Sequence, residues 1–325
     1  YVICSGPGCL RLLTYLQAQD RAVAVDDMES RRPQFEARPY AIANPDFGEL
    51  PVFGEFRGHD NPELIVALEP QPQLIFKTYP SMGMDPAELE DKTGIPVVVL
   101  NYGNFTSGRA DFYSSLRTMG EIVDRNDRAE DVISFMDSCI QDLQTRTENV
   151  PDEERPSCYV GGIAYRGPHG FQSTEPAYPP FVFVNADHVA LDGEDPSEAQ
   201  EHADVAKEQI VAWDPQYIFV DLSTLQSDPE ASALYQLRTD PAYAELQAVE
   251  NENVYGLMPY NWYTKNYGSI LADAYFVGKT LYPESFADID PAEKADEIYD
   301  FLVGQSVFGR LSSSFGGLVF ERISI

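Results

Sequence analysis

The strongest constraint on this chain is an internal repeat. The segment Glu63-Leu64-Ile65-Val66-Ala67-Leu68-Glu69-Pro70-Gln71 leads to Leu74-Ile75-Phe76, and Glu208-Gln209-Ile210-Val211-Ala212-Trp213-Asp214-Pro215-Gln216 leads to Tyr217-Ile218-Phe219. Each copy reads as a helix end, a proline stop and a buried strand. One such segment can arise by chance. Two, one in each half, predict two similarly built lobes. The 325 residues, 43% hydrophobic and 23% charged, are enough for two cores, and about 100–200 residues per domain gives the same number.

The pattern around the repeat is α/β. Tyr1–Ser5 reads as a strand, Cys9 to about Gln19 as a helix and Val23-Ala24-Val25 as a second strand, a parallel-sheet opening. Leu74–Phe76 and Val97–Leu100 continue the strands, and Phe112–Val123 reads as a helix. A longer helix is predicted from Asp127, as N-cap with Glu130 behind it, to about Arg146; its apolar stripe is Val132, Ile133, Phe135, Met136, Cys139, Ile140 and Leu143. Polar, proline-bounded residues follow. The second half carries strands at Ser157–Ile163, Tyr217–Val220 and Val254–Leu257, with helices at Ala203–Trp213, Ser269–Leu281 and Pro291–Val303. The fold class is therefore α/β, with two lobes, each a mainly parallel sheet flanked by helices, joined by one long rigid helix around a ligand cleft. The boundaries are residues 1–125 for the first lobe, 126–148 for the connecting helix and 149–325 for the second lobe. Clefts between domains are common ligand sites.

Charge narrows the partners. Asp and Glu number 53 against 22 Lys and Arg, a net charge of −31. Such a surface repels phosphate backbones and anionic membranes, which excludes nucleic acid. A solvated acidic surface, as in a salty habitat, and a dedicated cationic partner both fit the charge. No run of about 18 apolar residues predicts a membrane helix. The first residues read directly as a strand, without a charged leader; a chain whose leader has been removed reads the same way. Of the four cysteines, Cys4 and Cys9 are close enough for a disulfide, and two buried thiols fit equally.

Ligands of open α/β sheets bind beyond the carboxyl ends of the strands. After the first strand, Gly6-Pro7-Gly8-Cys9 opens a helix, which suits an anion at Gly6, Gly8 and Cys9, with Arg11 as a planar cationic grip. A tight strand-to-helix turn is the competing reading. The other post-strand loops are aromatic and polar together: Tyr79, Tyr102, Tyr165, Arg166, His169, Tyr178, Tyr260, Trp262 and Tyr263. Tyr and Trp offer stacking area with a hydrogen-bonding end, and the arginines can pair with ligand oxygens. The tyrosines with His169 could instead ligate a bare ferric ion. Among His59, His169, His188 and His202 there is no His-x-x-x-His or His-Glu-x-x-His, and no Gly-x-Ser-x-Gly elbow occurs. No nucleophile–base pair is visible, so an enzyme is not expected. His59 reads as part of an exposed turn; His188 and His202 read as solvated.

These features together resemble a known family. Two α/β lobes, one long connecting helix and a Glu-x-Ile-x-Ala segment in each lobe are similar to the substrate-binding proteins of ABC importers for iron complexes, siderophores, haem and cobalamin. Tyr159-Val160-Gly161-Gly162-Ile163, the run from His169 to Pro176 and that from Tyr255 to Tyr263 resemble a subset known as iron(III) transport proteins. The resemblance spans essentially the whole chain. It implies small closure about a rigid helix, one docking carboxylate per lobe for the membrane permease (Glu63 and Glu208), and work outside the cytoplasmic membrane, free or lipid-anchored, as a monomer. Simple ferric-ion binders carry a clear Tyr/His ligand set, which is dispersed here. The expected cargo is therefore a small-molecule metal complex, an iron chelate of siderophore type, with no intrinsic cofactor. Bare ferric ion, haem, a corrinoid or an oxyanion at Gly6–Arg11 are alternatives. A cofactor-handling enzyme of similar shape and a sensory or adhesion module are the rival classes.

Overall fold

The computed structural model describes residues 1–31 and 33–325. In the first lobe, β1 (Val2–Ser5), β5 (Leu74–Thr78) and β6 (Val97–Leu100) form a parallel sheet in the order β1-β5-β6, while β2 (Val25–Asp26), β3 (Val52–Glu55) and β4 (His59–Asp60) form a smaller sheet beside it. Ile3 lies opposite Ile75, and Ile75 opposite Val97. In the second lobe, β7 (Ser157–Gly161), β9 (Asp187–His188), β11 (Tyr217–Asp221) and β12 (Val254–Leu257) form a parallel sheet in the order β12-β11-β7-β9. A ribbon of β8 (Ser173–Thr174) and β10 (Ala203–Asp204) stands apart. The α/β class and the two-lobed, mainly parallel architecture are as expected.

The repeat supplies the middle of each sheet. Its first copy is the helix Pro62–Val66 feeding β5, and its second the helix Lys207–Trp213 feeding β11. Both strands are hydrogen-bonded on both edges. The matching isoleucines, Ile65 and Ile210, have no solvent exposure. Glu63 and Glu208, two residues earlier, stand exposed in the first helical turn.

A 22-residue helix, Asn126–Thr147, joins the lobes; at 1.5 Å per residue it spans about 33 Å. Its buried face includes Val132, Ile133, Met136, Cys139, Ile140 and Leu143. Asp127 is not its cap. The helix opens one residue earlier behind Arg125, and Asp127 sits in the first turn, where a negative charge meets the positive helix end. Among the other boundaries that shift, two move furthest. The first helix ends at Tyr15, and Ala203–Asp204 is a strand because it pairs with Ser173–Thr174, leaving the following helix to begin at Lys207. Cys4 and Cys9 are free, buried thiols, and burial, with Cys4 as hydrogen-bonding neighbour, pushes Cys9 well above the usual thiol value.

The end of the chain returns to the first lobe. Gln305 Nε2 donates to the Ala43 carbonyl (2.8 Å), Arg310 Nη1 to that of Ile42 (3.0 Å) and Ser314 Oγ to that of Glu36 (3.1 Å). Arg128 of the connecting helix donates to the carbonyls of Tyr15 and Phe301, from opposite ends of the sequence. Leu143, fully buried on the shared helix, is a direct test of this coupling. Leu143→Ala is expected to cost about 2–5 kcal/mol and to shift a single urea transition seen alike by far-ultraviolet dichroism and Trp fluorescence; two separated transitions would contradict it.

Candidate functional site

The carboxyl ends of β1, β5 and β6 face those of β7, β11 and β12 across a cleft of about 1090 Å³. Its walls carry Tyr79, Asn101 and Asn104 from the first lobe and Tyr165, Arg166, Trp262 and Tyr263 from the second. Five of the predicted ligand residues thus meet in one cavity: Tyr79, Tyr165, Arg166, Trp262 and Tyr263. The hairpin between β3 and β4 adds Phe56, Arg57 and His59. These were not legible as site residues because the short strands that aim the hairpin were not predicted. A buried ion pair holds it there: Lys77 Nζ lies 2.6 Å from Asp60 Oδ2 and also donates to Ser5 Oγ and the Gly58 carbonyl.

The remaining predicted residues lie elsewhere. Arg11 does not grip a ligand. It is fully buried and donates to Tyr102 Oη and to the carbonyls of Lys265 (2.9 Å), Trp262 (3.0 Å) and Tyr263 (3.2 Å). These contacts bind the second-lobe loop 261–265 to the first lobe. Tyr263 and Thr264 in that loop have φ of 47° and 62°, a left-handed conformation that costs a non-glycine residue energy unless its surroundings hold it. Tyr102, buried, also donates to the Lys265 carbonyl (2.6 Å). The anion site at Gly6, Gly8 and Cys9 is filled by protein. A Cβ at Gly8 (φ 73°) would lie 2.3 Å from the Tyr102 ring, and one at Gly6 (φ 85°) 2.5 Å from the Thr78 carbonyl. These glycines serve close packing, the turn reading of the motif, and only Pro7 of this turn reaches the cavity. Tyr178 and Tyr260 are buried behind the second-lobe wall, and His169 is half-buried beside Tyr165, outside the cavity lining.

Two hydroxyls close the lobe junction at the cleft. Tyr79 Oη and Thr264 Oγ1 are 2.6 Å apart, and Tyr263 Oη donates to Asp26 while accepting the Arg57 amide (3.1 Å). The cations differ in their company. Lys265 pairs with Glu201 at 3.1 Å. Arg57 lies over Phe56 and Arg166 over Tyr165, with centroid distances of 5.2 and 5.3 Å, and neither has a carboxylate partner among the described residues. Glu175, buried at the cavity wall, accepts from Tyr260. Burial, partly offset by Lys265, pushes its carboxyl up to about 7. Asp26 and Asp221 are also raised to about 7 by burial.

Those three carboxyls fix the sign of a pH dependence. Between their ordinary range near 4 and about 7, the folded chain holds protons the unfolded chain has lost, so stability falls as pH rises across that window and levels above it. The melting temperature at constant salt is expected to be higher at pH 5 than at pH 7.5, with a shallower slope in Glu175→Gln; equal melting at both values would contradict the assignment. At the junction, Arg11→Met leaves buried carbonyls unpaired, an expected loss of about 3 kcal/mol or more, visible as a lower urea midpoint with a red-shifted Trp262 emission.

The comparisons with known proteins agree with this architecture. A family profile described as periplasmic binding protein matches residues 2–260, and the chain belongs to that family. Its members are solute-binding proteins that deliver ligands to ABC permeases outside the cytoplasmic membrane, not enzymes. The fold is shared with the molybdate periplasmic binding protein MolA of Haemophilus influenzae, solved with molybdate (17% identity, 94% of this chain and 93% of that one, TM-score 0.66). It is shared with the periplasmic haem-binding protein HutB of Vibrio cholerae (20%, 87% and 98%, TM-score 0.60). It is also shared with an ABC-type Fe3+-hydroxamate transport system protein of Saccharomonospora viridis (20%, 86% and 92%, TM-score 0.53). No curated protein matches significantly. Among the described residues no helix is long and apolar enough to cross a membrane.

Proposed function

We propose that this chain captures a large anionic metal chelate of the ferric-siderophore class and hands it to the permease of an ABC importer. The observation that carries this reading is the pair Arg57 and Arg166. One arginine from each lobe reaches the cleft without a carboxylate partner among the described residues, in a chain of net charge −31. Cations left unpaired on so acidic a protein favour anionic cargo, and guanidinium groups suit carboxylate or other charged oxygens.

Size and chemistry narrow the class. Pockets of about 300–1,000 Å³ hold drug-sized ligands, so a cleft of about 1090 Å³ suits a chelate and leaves a small oxyanion mostly unenclosed. Tyr165 and Trp262 offer aromatic surface to an organic ligand. A bare ferric ion is served less well: no three His, Cys, Asp or Glu side chains assemble into a metal site among the described residues, and the Tyr79 and Tyr263 hydroxyls are already engaged. Haem is the second reading, since its carboxylates would meet the same two arginines. Glu63 and Glu208, exposed at equivalent places in the two lobes, are the proposed contacts with the permease.

Native mass spectrometry with metal analysis on protein from its own source is expected to find an organic ligand with one equivalent of iron; a Soret band in the same sample would select haem. In titrations followed by Trp262 fluorescence, Arg57→Ala and Arg166→Ala should each weaken an anionic ferric chelate about tenfold, or about 1.4 kcal/mol. Unchanged affinity in both variants would overturn the anionic reading. Glu63→Lys with Glu208→Lys should abolish uptake while leaving chelate affinity intact, and normal uptake would remove the docking assignment.

A further inference from the structure

Beside the cleft, outside its lining, two imidazoles of the second lobe converge. His169, in the loop after β7, and His202, in the segment entering β10, have ring centroids 5.6 Å apart at 46°. Each ring is anchored through Nε2. That of His169 lies 2.7 Å from the Tyr165 carbonyl, which can only accept, so His169 carries its proton there. That of His202 lies 2.9 Å from Ser173 Oγ, whose own proton goes to the Ile163 carbonyl at 2.7 Å, so His202 also donates from Nε2. Asp204, 3.9 Å from the same nitrogen, reinforces that orientation. In both neutral rings Nδ1 then holds a lone pair, and neither Nδ1 has a hydrogen-bond partner among the described residues.

We infer that His169 and His202 form a two-imidazole site for a divalent transition-metal ion, bound through both Nδ1 atoms with water completing the shell. A ligating histidine characteristically donates its other N–H to a carbonyl, hydroxyl or carboxylate, and this pair shows that arrangement on both rings. Metal–nitrogen bonds of about 2.0–2.1 Å place two imidazole centroids at most roughly 6.5 Å apart on a shared ion, which accommodates the observed spacing. Imidazole suits zinc, copper and nickel rather than magnesium or calcium. The ion would brace one wall of the cleft. Tyr165 stacks on His202 at 4.3 Å and 8°, Glu201 precedes it in sequence, and both line the cavity. The inference does not rest on the identity of the cargo.

The test is a Cu2+ titration of the full chain, without cargo and with excess Mg2+ to occupy surface carboxylates, read by electron paramagnetic resonance. One ion per chain with couplings from two imidazole nitrogens is expected. His169→Gln and His202→Gln should each weaken binding about tenfold or more, with unchanged circular dichroism. A spectrum of oxygen ligands alone on the unmodified chain would overturn the site, as would affinity that neither substitution alters; both place the ion on the acidic surface. Zn2+ should also raise the melting temperature of the unmodified chain and of neither variant.

Discussion

The Arg11 guanidinium has no contact with solvent, and three of its four hydrogen-bond partners are carbonyl oxygens of one loop on the opposite lobe. A buried cation is tolerated only where dipoles replace its water, and here those dipoles are the backbone of residues 262, 263 and 265. The planar fork meets several carbonyls at once, as a lysine ammonium could not. Its other face lies 4.9 Å from the Tyr40 ring centroid. Because this contact holds Tyr263 and Thr264 in left-handed backbone, it also sets where Trp262 and Tyr263 stand on the cleft wall. One tie between the lobes and the shape of the cleft wall thus share the same buried charge.

The electrostatic design separates surface from cleft. Most charges on this chain are negative and solvated, yet few acids line the cleft, and of these Asp111 accepts from Asn101 while the others are buried or paired. Glu175 and Asp26 are buried and raised to about 7, and Glu201 is occupied by Lys265. Arg57 and Arg166 remain without carboxylate neighbours among the described residues. The cleft therefore stays more positive than the total charge suggests, and field lines entering a cavity with low-dielectric walls are focused rather than screened.

Much of the fold could be read from the residues. The repeat at Glu63 and Glu208 marked the central strand of each sheet, because an amphipathic helix end, a proline stop and a β-rich run form a local signal. The long helix was legible for the same reason, its stripe from Val132 to Leu143 having the helical period. The site was legible only in part. Post-strand loops rich in tyrosine pointed to a cleft, but which rings face it depends on long-range packing: Tyr79 and Tyr263 line it, while Tyr102 closes over Gly8 and Tyr260 turns back to Glu175. Arg11 looked like a ligand grip because a cation near a helix start carries no mark of what it meets; its carbonyl partners lie about 250 residues downstream. Arg57 was hidden in a turn whose two short strands have no periodicity of their own.

The return of the chain end to the first lobe has a consequence for the order of assembly. Carbonyls of residues 36, 42 and 43 receive their donors from residues 314, 310 and 305. Each of these ties spans more than 260 positions of sequence. Contacts between residues this far apart in sequence are slow to form, so these ties between the two lobes come late in folding.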